Sequence, residues 1–238
     1  MVEVLAHRGA SNLERQNTIE AFRLAGNMGA DAVELDVRRT SDGSLVVHHD
    51  PTLADGRAIV DVRAADLPGY IPPLQAALDA CSGMWVNVEI KNDPSEPDFD
   101  PIDRIADRTV AELLARGEDD RWLISSFRLE TIDRCRALAG SIRTAWLVTE
   151  VPDDVIATMV GRGHAALHPW VGILRRSHID VCHGAGIQVN TWTCDDPVRI
   201  AELVDWGVDG ICTNVPDVAL DVIAGRFTPS GSHTADEG

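Results

Sequence analysis

Two short apolar segments carry charge where a buried strand would not: Val33-Glu34-Leu35-Asp36-Val37 and Val86-Asn87-Val88-Glu89-Ile90-Lys91. In each, Val, Leu or Ile alternates with an ionisable or amide residue. That is the period of a strand, whose successive side chains take opposite faces. Glu34 and Asp36 therefore share one face, and Asn87, Glu89 and Lys91 share another. Carboxylates are seldom buried unless they are paired or bind a metal, so these faces mark a candidate site.

The elements that must position them alternate between strand and helix. Strand patterns cover residues 2–7, 32–38, 85–91, 122–127, 143–148, 165–170, 188–193 and 210–214. Helix patterns cover 17–28, 74–80, 101–116, 129–138, 153–160, 175–185, 197–206 and 215–224, with start signals at Thr18, Asp196 and Asn214. Strand followed by helix, repeated eight times, predicts an α/β chain folded as a (β/α)8 TIM barrel, a single domain over residues 1–227. A doubly wound sheet is disfavoured because no Gly-rich phosphate loop follows the first strand. Leu45-Val46-Val47, after Ser41-Asp42-Gly43-Ser44, reads as a hairpin extension of the second strand, with Asp-Gly as a two-residue turn. Residues 228–238 read as a disordered C-terminal tail.

In such a barrel the site lies at the C-terminal strand ends. Those ends carry His7-Arg8, then Glu34 and Asp36 with His48-His49-Asp50 on the extension, Glu89 and Lys91, His168, and Asn190 with Trp192. Two bare carboxylates about 4 Å apart repel by about 4 kcal/mol at an effective dielectric near 20, and three such pairs by roughly 12 kcal/mol. A hard divalent cation, Mg²⁺ or Ca²⁺, suits an all-carboxylate set and offsets that repulsion. A structural network with Arg8 and Lys91 pairing the acids would also do so. His7 and His49 flank the same pocket and suit acid–base work near neutral pH. His48, one residue off, points the other way. Arg8 suits a non-bridging phosphate oxygen, and Lys91 the charge that develops in a transition state. Trp192 suits packing against a small substrate's carbons or at the barrel rim. His168 and Phe127 are candidates for the pocket wall. Trp85, Trp122, Trp146, Trp170 and Trp206 are assigned to packing.

Composition narrows the partners. The formal net charge of −17 over 238 residues would repel nucleic acid and anionic membranes. No apolar run is long enough to span a bilayer, and the N-terminus lacks a signal-peptide pattern, so a soluble, cytoplasmic protein without stable membrane association is expected. Five cysteines at irregular spacing, with no C-x-x-C, predict reduced thiols packed in the core.

The chain resembles glycerophosphodiester phosphodiesterases. The resemblance rests on His7-Arg8-Gly9-Ala10-Ser11, Asn17-Thr18, Val33-Glu34-Leu35-Asp36-Val37, Asp42-Gly43 and Val47-His48-His49-Asp50-Pro51-Thr52-Leu53. Val88-Glu89-Ile90-Lys91, Ser125-Ser126-Phe127, Val189-Asn190-Thr191-Trp192-Thr193 and Gly207-Val208-Asp209-Gly210-Ile211 continue it in matching order. It implies metal-dependent hydrolysis of a small-molecule glycerophosphodiester to glycerol 3-phosphate and an alcohol. It further implies metal ligands at Glu34, Asp36 and Glu89, and acid–base catalysis at His7 and His49. Gln16 stands where the family usually has Glu, and Ala54-Asp55-Gly56-Arg57 replaces a longer segment that would shape the alcohol side of the pocket. No acid, base or metal position is lost, so an active enzyme is expected. Two other readings remain: a lysophospholipid phosphodiesterase on the same barrel, and a non-catalytic barrel that binds phosphodiesters.

Overall fold

The computed structural model describes residues 1–227 of the chain, so the tail at 228–238 lies outside the described residues. Nine strands form one sheet: β1 (Glu3–His7), β2 (Ala32–Arg39), β3 (Leu45–Val47), β4 (Trp85–Ile90), β5 (Trp122–Ser126), β6 (Arg143–Val148), β7 (Ala166–Pro169), β8 (Gln188–Thr191) and β9 (Gly210–Thr213). β1 pairs in parallel with both β2 and β9, which closes eight parallel strands into a barrel. β3 lies outside that closure, antiparallel to the end of β2. The helices are α1 (Ile19–Met28), α2 (Leu74–Ala80), α3 (Arg104–Leu114), α4 (Leu129–Leu138), α5 (Val155–Arg162), α6 (Arg176–Gly184), α7 (Pro197–Trp206) and α8 (Pro216–Ile223). The expected TIM barrel is the fold observed. None of the described helices is long and apolar enough to cross a membrane.

Strand alternation divides the packing. Outward residues such as Leu35, Val37, Val86 and Val88 meet Phe22, Leu74 and Leu78 of the helical ring. On the opposite side Val4, Leu167, Val189 and Ile211 meet Ile200 and Leu203. Inward residues fill the lower barrel, where the Trp85 indole sits among Ala32, Leu123, Ala145 and Ala166. Small residues on the neighbouring strands leave room for that one large ring, so the barrel floor is packed and the open space lies above it.

Local signals explain most helix starts. Thr18 accepts from the Ala21 amide, and Asp196 accepts from Val198 with Pro197 in the first turn. The helix expected over 101–116 begins at Arg104, because Asn92 and Asp100 hold the preceding loop: the Asp100 amide donates to Asn92 Oδ1 at 2.8 Å and the Ile105 amide to Asp100 Oδ2 at 3.1 Å. The turn before β3 is longer than the expected two residues. Thr40 closes on Ser44 at 3.0 Å, and the Thr40 hydroxyl donates to Asp42 Oδ1 at 2.6 Å. Gly43, at φ 79°, supplies the left-handed step.

Gly9, at φ 84°, lets the turn after β1 lie against α1. A Cβ there would stand 2.6 Å from the Ala21 carbonyl carbon and 2.8 Å from its oxygen. Gly9→Ala is expected to cost about 2–4 kcal/mol from left-handed strain and overpacking. The urea midpoint should fall with an unchanged m-value; an unmoved midpoint would contradict this packing.

Candidate active site

The C-terminal ends of the strands gather the chemistry. Register sets His7 beside Glu34, Glu34 beside Asn87, and Asp36 beside Glu89. A cavity of about 170 Å³ opens above the barrel floor, lined among others by His7, Arg8, Glu34, His49, Glu89 and Lys91. Phe127, His168 and Trp192 line it too, so of the residues given a role in catalysis, metal binding or substrate binding all but Asp36 touch the cavity. Asp36 is fully buried beside it, contacting Arg8 and Lys91.

The carboxylates are held tightly. Glu34 Oε2 accepts from the Arg8 amide at 3.0 Å, while Glu34 Oε1 is buried without a hydrogen-bond partner. Asp36 Oδ2 accepts from Asn17 Nδ2 at 2.7 Å and lies 3.2 Å from Arg8 Nε; Asp36 Oδ1 lies 3.0 Å from Lys91 Nζ. Lys91 also donates to Glu89 Oε1 at 2.5 Å. Arg8 and Asn17 both take φ 59°, so the backbone itself turns to present them to Asp36. One oxygen from each of Glu34, Asp36 and Glu89 falls within 4.8 Å of the others. With the partnerless Glu34 oxygen, this set could hold a hard divalent cation; the identity of such a metal is left open by the donors alone.

The electrostatics follow from burial and crowding. Burial, with Asp36 and Glu89 adding repulsion, pushes Glu34 well above the usual carboxyl range. Burial also raises Glu89, only partly countered by Lys91. Burial would raise Asp36 as well, but Lys91 and Arg8 overcome it and hold this carboxyl below its ordinary value. Lys91 loses hydration on burial yet is raised by Glu89 and Asp36. Asp36 thus touches both cations and Glu89 shares Lys91, while Glu34 makes no ion pair with either and keeps the largest share of the repulsion.

The two histidines differ. His7 Nδ1 lies 2.7 Å from Asn214 Oδ1. That oxygen also accepts from Ser11 Oγ at 2.9 Å, while Asn214 Nδ2 donates to Asp195 Oδ2 at 2.7 Å. Asp195 therefore fixes the amide orientation, and the amide oxygen requires the His7 proton on Nδ1. His7 Nε2 is left as a lone pair toward the cavity, 3.9 Å from Glu34 Oε2. Burial and the Arg8 charge depress His7 to about 4. His49 instead sits on a bend after β3 with its ring nitrogen Nδ1 2.7 Å from the Asp50 carboxylate. His48 is absent from the cavity lining, as strand alternation requires.

On the far wall His168 is depressed to about 3 by burial, with Arg143 adding to it, and its Nε2 accepts from Asn190 Nδ2 at 3.0 Å. Trp192 donates to the His168 carbonyl at 2.8 Å, and Phe127 meets its ring edge-on at 5.4 Å. Trp170, assigned to packing, is 45% exposed at the rim; its main chain bridges to Trp192 where the barrel core has ended. All five cysteines are free and buried, as expected, and Cys212, clustered with Leu5 and Ala32, also faces the cavity.

Sequence reasoning missed Asn17 and Asn214 as site residues. Asn17 reads as the first residue of a helix pattern and part of the Asn17-Thr18 motif, and Asn214 as a helix-start signal, since Asn favours caps and turns. α8 is instead entered through Val215, and the Asn214 side chain turns to His7. Gln16 accepts from Arg8 at 2.8 Å and so keeps contact with the site as a neutral partner.

Comparison with known proteins agrees with this arrangement. Residues 7–218 match the model of the glycerophosphoryl diester phosphodiesterase family. YhdW of Bacillus subtilis, assigned as a glycerophosphodiester phosphodiesterase, is 30% identical over 241 residues, covering 91% of this chain and 96% of the relative. The glycerophosphodiester phosphodiesterase of Caldanaerobacter subterraneus is 26% identical, covering 92% and 97%. Among solved structures, an Oleispira antarctica phosphodiesterase in complex with the product sn-glycerol-3-phosphate superposes with a TM-score of 0.83 at 26% identity, covering 93% of this chain and 96% of its own. The match spans the strands that carry His7, Glu34, Asp36, Glu89 and Asn190, and the chain belongs to the glycerophosphoryl diester phosphodiesterase family.

Proposed function

We propose that the chain hydrolyses glycerophosphodiesters to glycerol 3-phosphate and a free alcohol, with a divalent cation and two histidines of unequal role. The observation that carries the reading is one cavity bordered by three carboxylates within 4.8 Å of one another and by two imidazoles, each engaged at Nδ1. Glu34, Asp36 and Glu89 would hold Mg²⁺ or Ca²⁺, which when bound supplies Lewis-acid stabilisation of phosphate charge. Arg8 and Lys91 add fixed positive charge beside the same phosphate.

His7, with Nε2 unprotonated, takes the proton of the attacking glycerol hydroxyl. That oxygen bonds to phosphorus, and the bond from phosphorus to the alcohol oxygen breaks. His49 gives the departing oxygen its proton, so the alcohol leaves neutral and a cyclic phosphate remains. In the second half water loses its proton to His49 and adds to phosphorus. The bond from phosphorus to the glycerol oxygen that attacked first then breaks, His7 returns its proton to that oxygen, and glycerol 3-phosphate is complete with both histidines restored. Trp192, Phe127 and His168 would enclose the glycerol carbons.

The test is release of glycerol 3-phosphate from glycerophosphocholine and glycerophosphoethanolamine with Mg²⁺, Ca²⁺ or EDTA. Turnover that EDTA removes and one of the two metals restores is expected. No turnover with any diester overturns the enzyme assignment, and turnover indifferent to EDTA overturns the metal site. Faster cleavage of lysophospholipids than of either water-soluble diester would transfer the assignment to that substrate class.

A further inference from the structure

Arg38 extends the inward-facing series Glu34, Asp36 on β2, yet it touches no part of the cavity. It is 1% exposed, among the largest fully buried side chains. All five of its N–H donors are engaged. Nε and one Nη donate to the His49 carbonyl at 2.8 and 2.5 Å. The same Nη reaches Glu96 Oε1 at 3.1 Å, and the other Nη reaches Glu96 Oε2 at 2.9 Å and Asp98 Oδ2 at 2.7 Å. Two carboxylates from the loop after β4 thus lock a planar fork, and that fork grips the backbone of the residue proposed as the acid.

The grip is needed because His49 lies on an irregular bend beyond β3, outside the strand pairing that fixes His7 and the carboxylates. Its ring is tied only to its exposed neighbour Asp50. A backbone carbonyl held twice at one atom by a buried guanidinium restricts both the position and the tilt of that peptide. The other end of the fork anchors in a loop that is itself stapled: Asn92 donates to Asp103 Oδ1 at 2.7 Å and to the Asp100 carbonyl at 3.0 Å.

We infer that Arg38, clamped by Glu96 and Asp98, is a positioning residue that sets His49 against the leaving alcohol oxygen. This inference rests on the role proposed for His49. Lysine at this position keeps the charge but offers three donors on a flexible stem, so it cannot reproduce the fork. Displacement of a catalytic group by about 1 Å costs on the order of 10²-fold in rate.

The test compares two glycerol phosphodiesters, one that releases ethanolamine and one that releases 4-nitrophenol. The nitrophenolate departs without a proton, so only the first substrate needs the acid. In single-turnover measurements of the first half-reaction, Arg38→Lys is expected to slow ethanolamine release about 10²-fold, with substrate affinity and nitrophenol release nearly unchanged. Equal losses on both substrates, or no loss, would overturn the inference. If Arg38→Lys does not fold, Glu96→Gln carries the same comparison with a smaller selective loss, and absence of selectivity overturns it equally. His49→Ala is measured alongside. If it also lacks selectivity, the acid role itself fails; if it is selective and the Arg38 and Glu96 variants are not, only the positioning role fails.

Discussion

In the first half-reaction, read as single-turnover release of the alcohol, His7→Ala slows cleavage by about 10²–10⁴-fold on any glycerol phosphodiester, whatever its leaving group, while His49→Ala loses as much only where the leaving oxygen needs a proton. The asymmetry follows from the hydrogen bonds at Nδ1. Asn214, oriented by Asp195, offers His7 an uncharged oxygen and leaves Nε2 a base. Asp50 offers His49 a carboxylate, an anionic partner at Nδ1 that His7 lacks. Attack by a hydroxyl requires the base for every substrate, but a nitrophenolate leaves without help from the acid. Rates measured on ethanolamine and nitrophenyl diesters check this. Parallel losses in both variants would contradict the division of roles, and a loss confined to the ethanolamine diester in His7→Ala, with both substrates slowed in His49→Ala, would reverse it.

The second large effect couples activity to stability with opposite signs. Glu34→Gln is expected to abolish metal-dependent turnover, because one of three ligands is gone and Lewis-acid stabilisation is worth several kcal/mol. The same change should raise the Tm of the metal-free protein by about 2–8 °C, which corresponds to roughly 1–2 kcal/mol for a chain of this size. Buried Glu34 stands against Asp36 and Glu89, while Arg8 pairs with Asp36 and Lys91 with Asp36 and Glu89. Removing one negative charge relieves burial and repulsion that these cations offset only in part. A carboxyl raised by folding binds its proton more tightly in the folded chain. Its contribution is complete below about pH 4 and is lost as pH rises through the folded value. In EDTA the parent should therefore lose stability as pH rises above the ordinary carboxyl range, and Glu34→Gln should lose less, with Glu89 left as the raised carboxyl. Thermal unfolding in EDTA and in excess Mg²⁺ measures both arms. A variant less stable than the parent in EDTA would show that the carboxylates are balanced without a cation.

Much of this was legible in the sequence. Alternation in residues 33–37 and 86–91 showed which carboxylates share a face, because a strand's period of two is a local property. Eight strand–helix repeats implied the barrel, and the barrel implied that all the strand ends converge on one mouth. The Thr18 and Asp196 caps were equally local, and they hold as read.

What lay beyond the sequence is contact between distant segments. Asn214 carries the same local signal as a helix start, and only the pairing of β9 with β1 brings it to His7 across 207 positions. Trp170 reads like any apolar strand residue, but it falls past the last core layer and faces solvent. Arg38 is a charge next to another charge in the chain; its partners Glu96 and Asp98 stand 58 and 60 residues away. The sequence by itself determined the barrel, the shared faces and the kinds of chemistry available there, because periodicity and residue type are set locally. The tertiary structure alone decided which nitrogen of each histidine is free, which acid keeps both cations and what holds His49 in place. Those depend on distances of a few ångströms between strands and loops that the chain brings together only when the barrel closes.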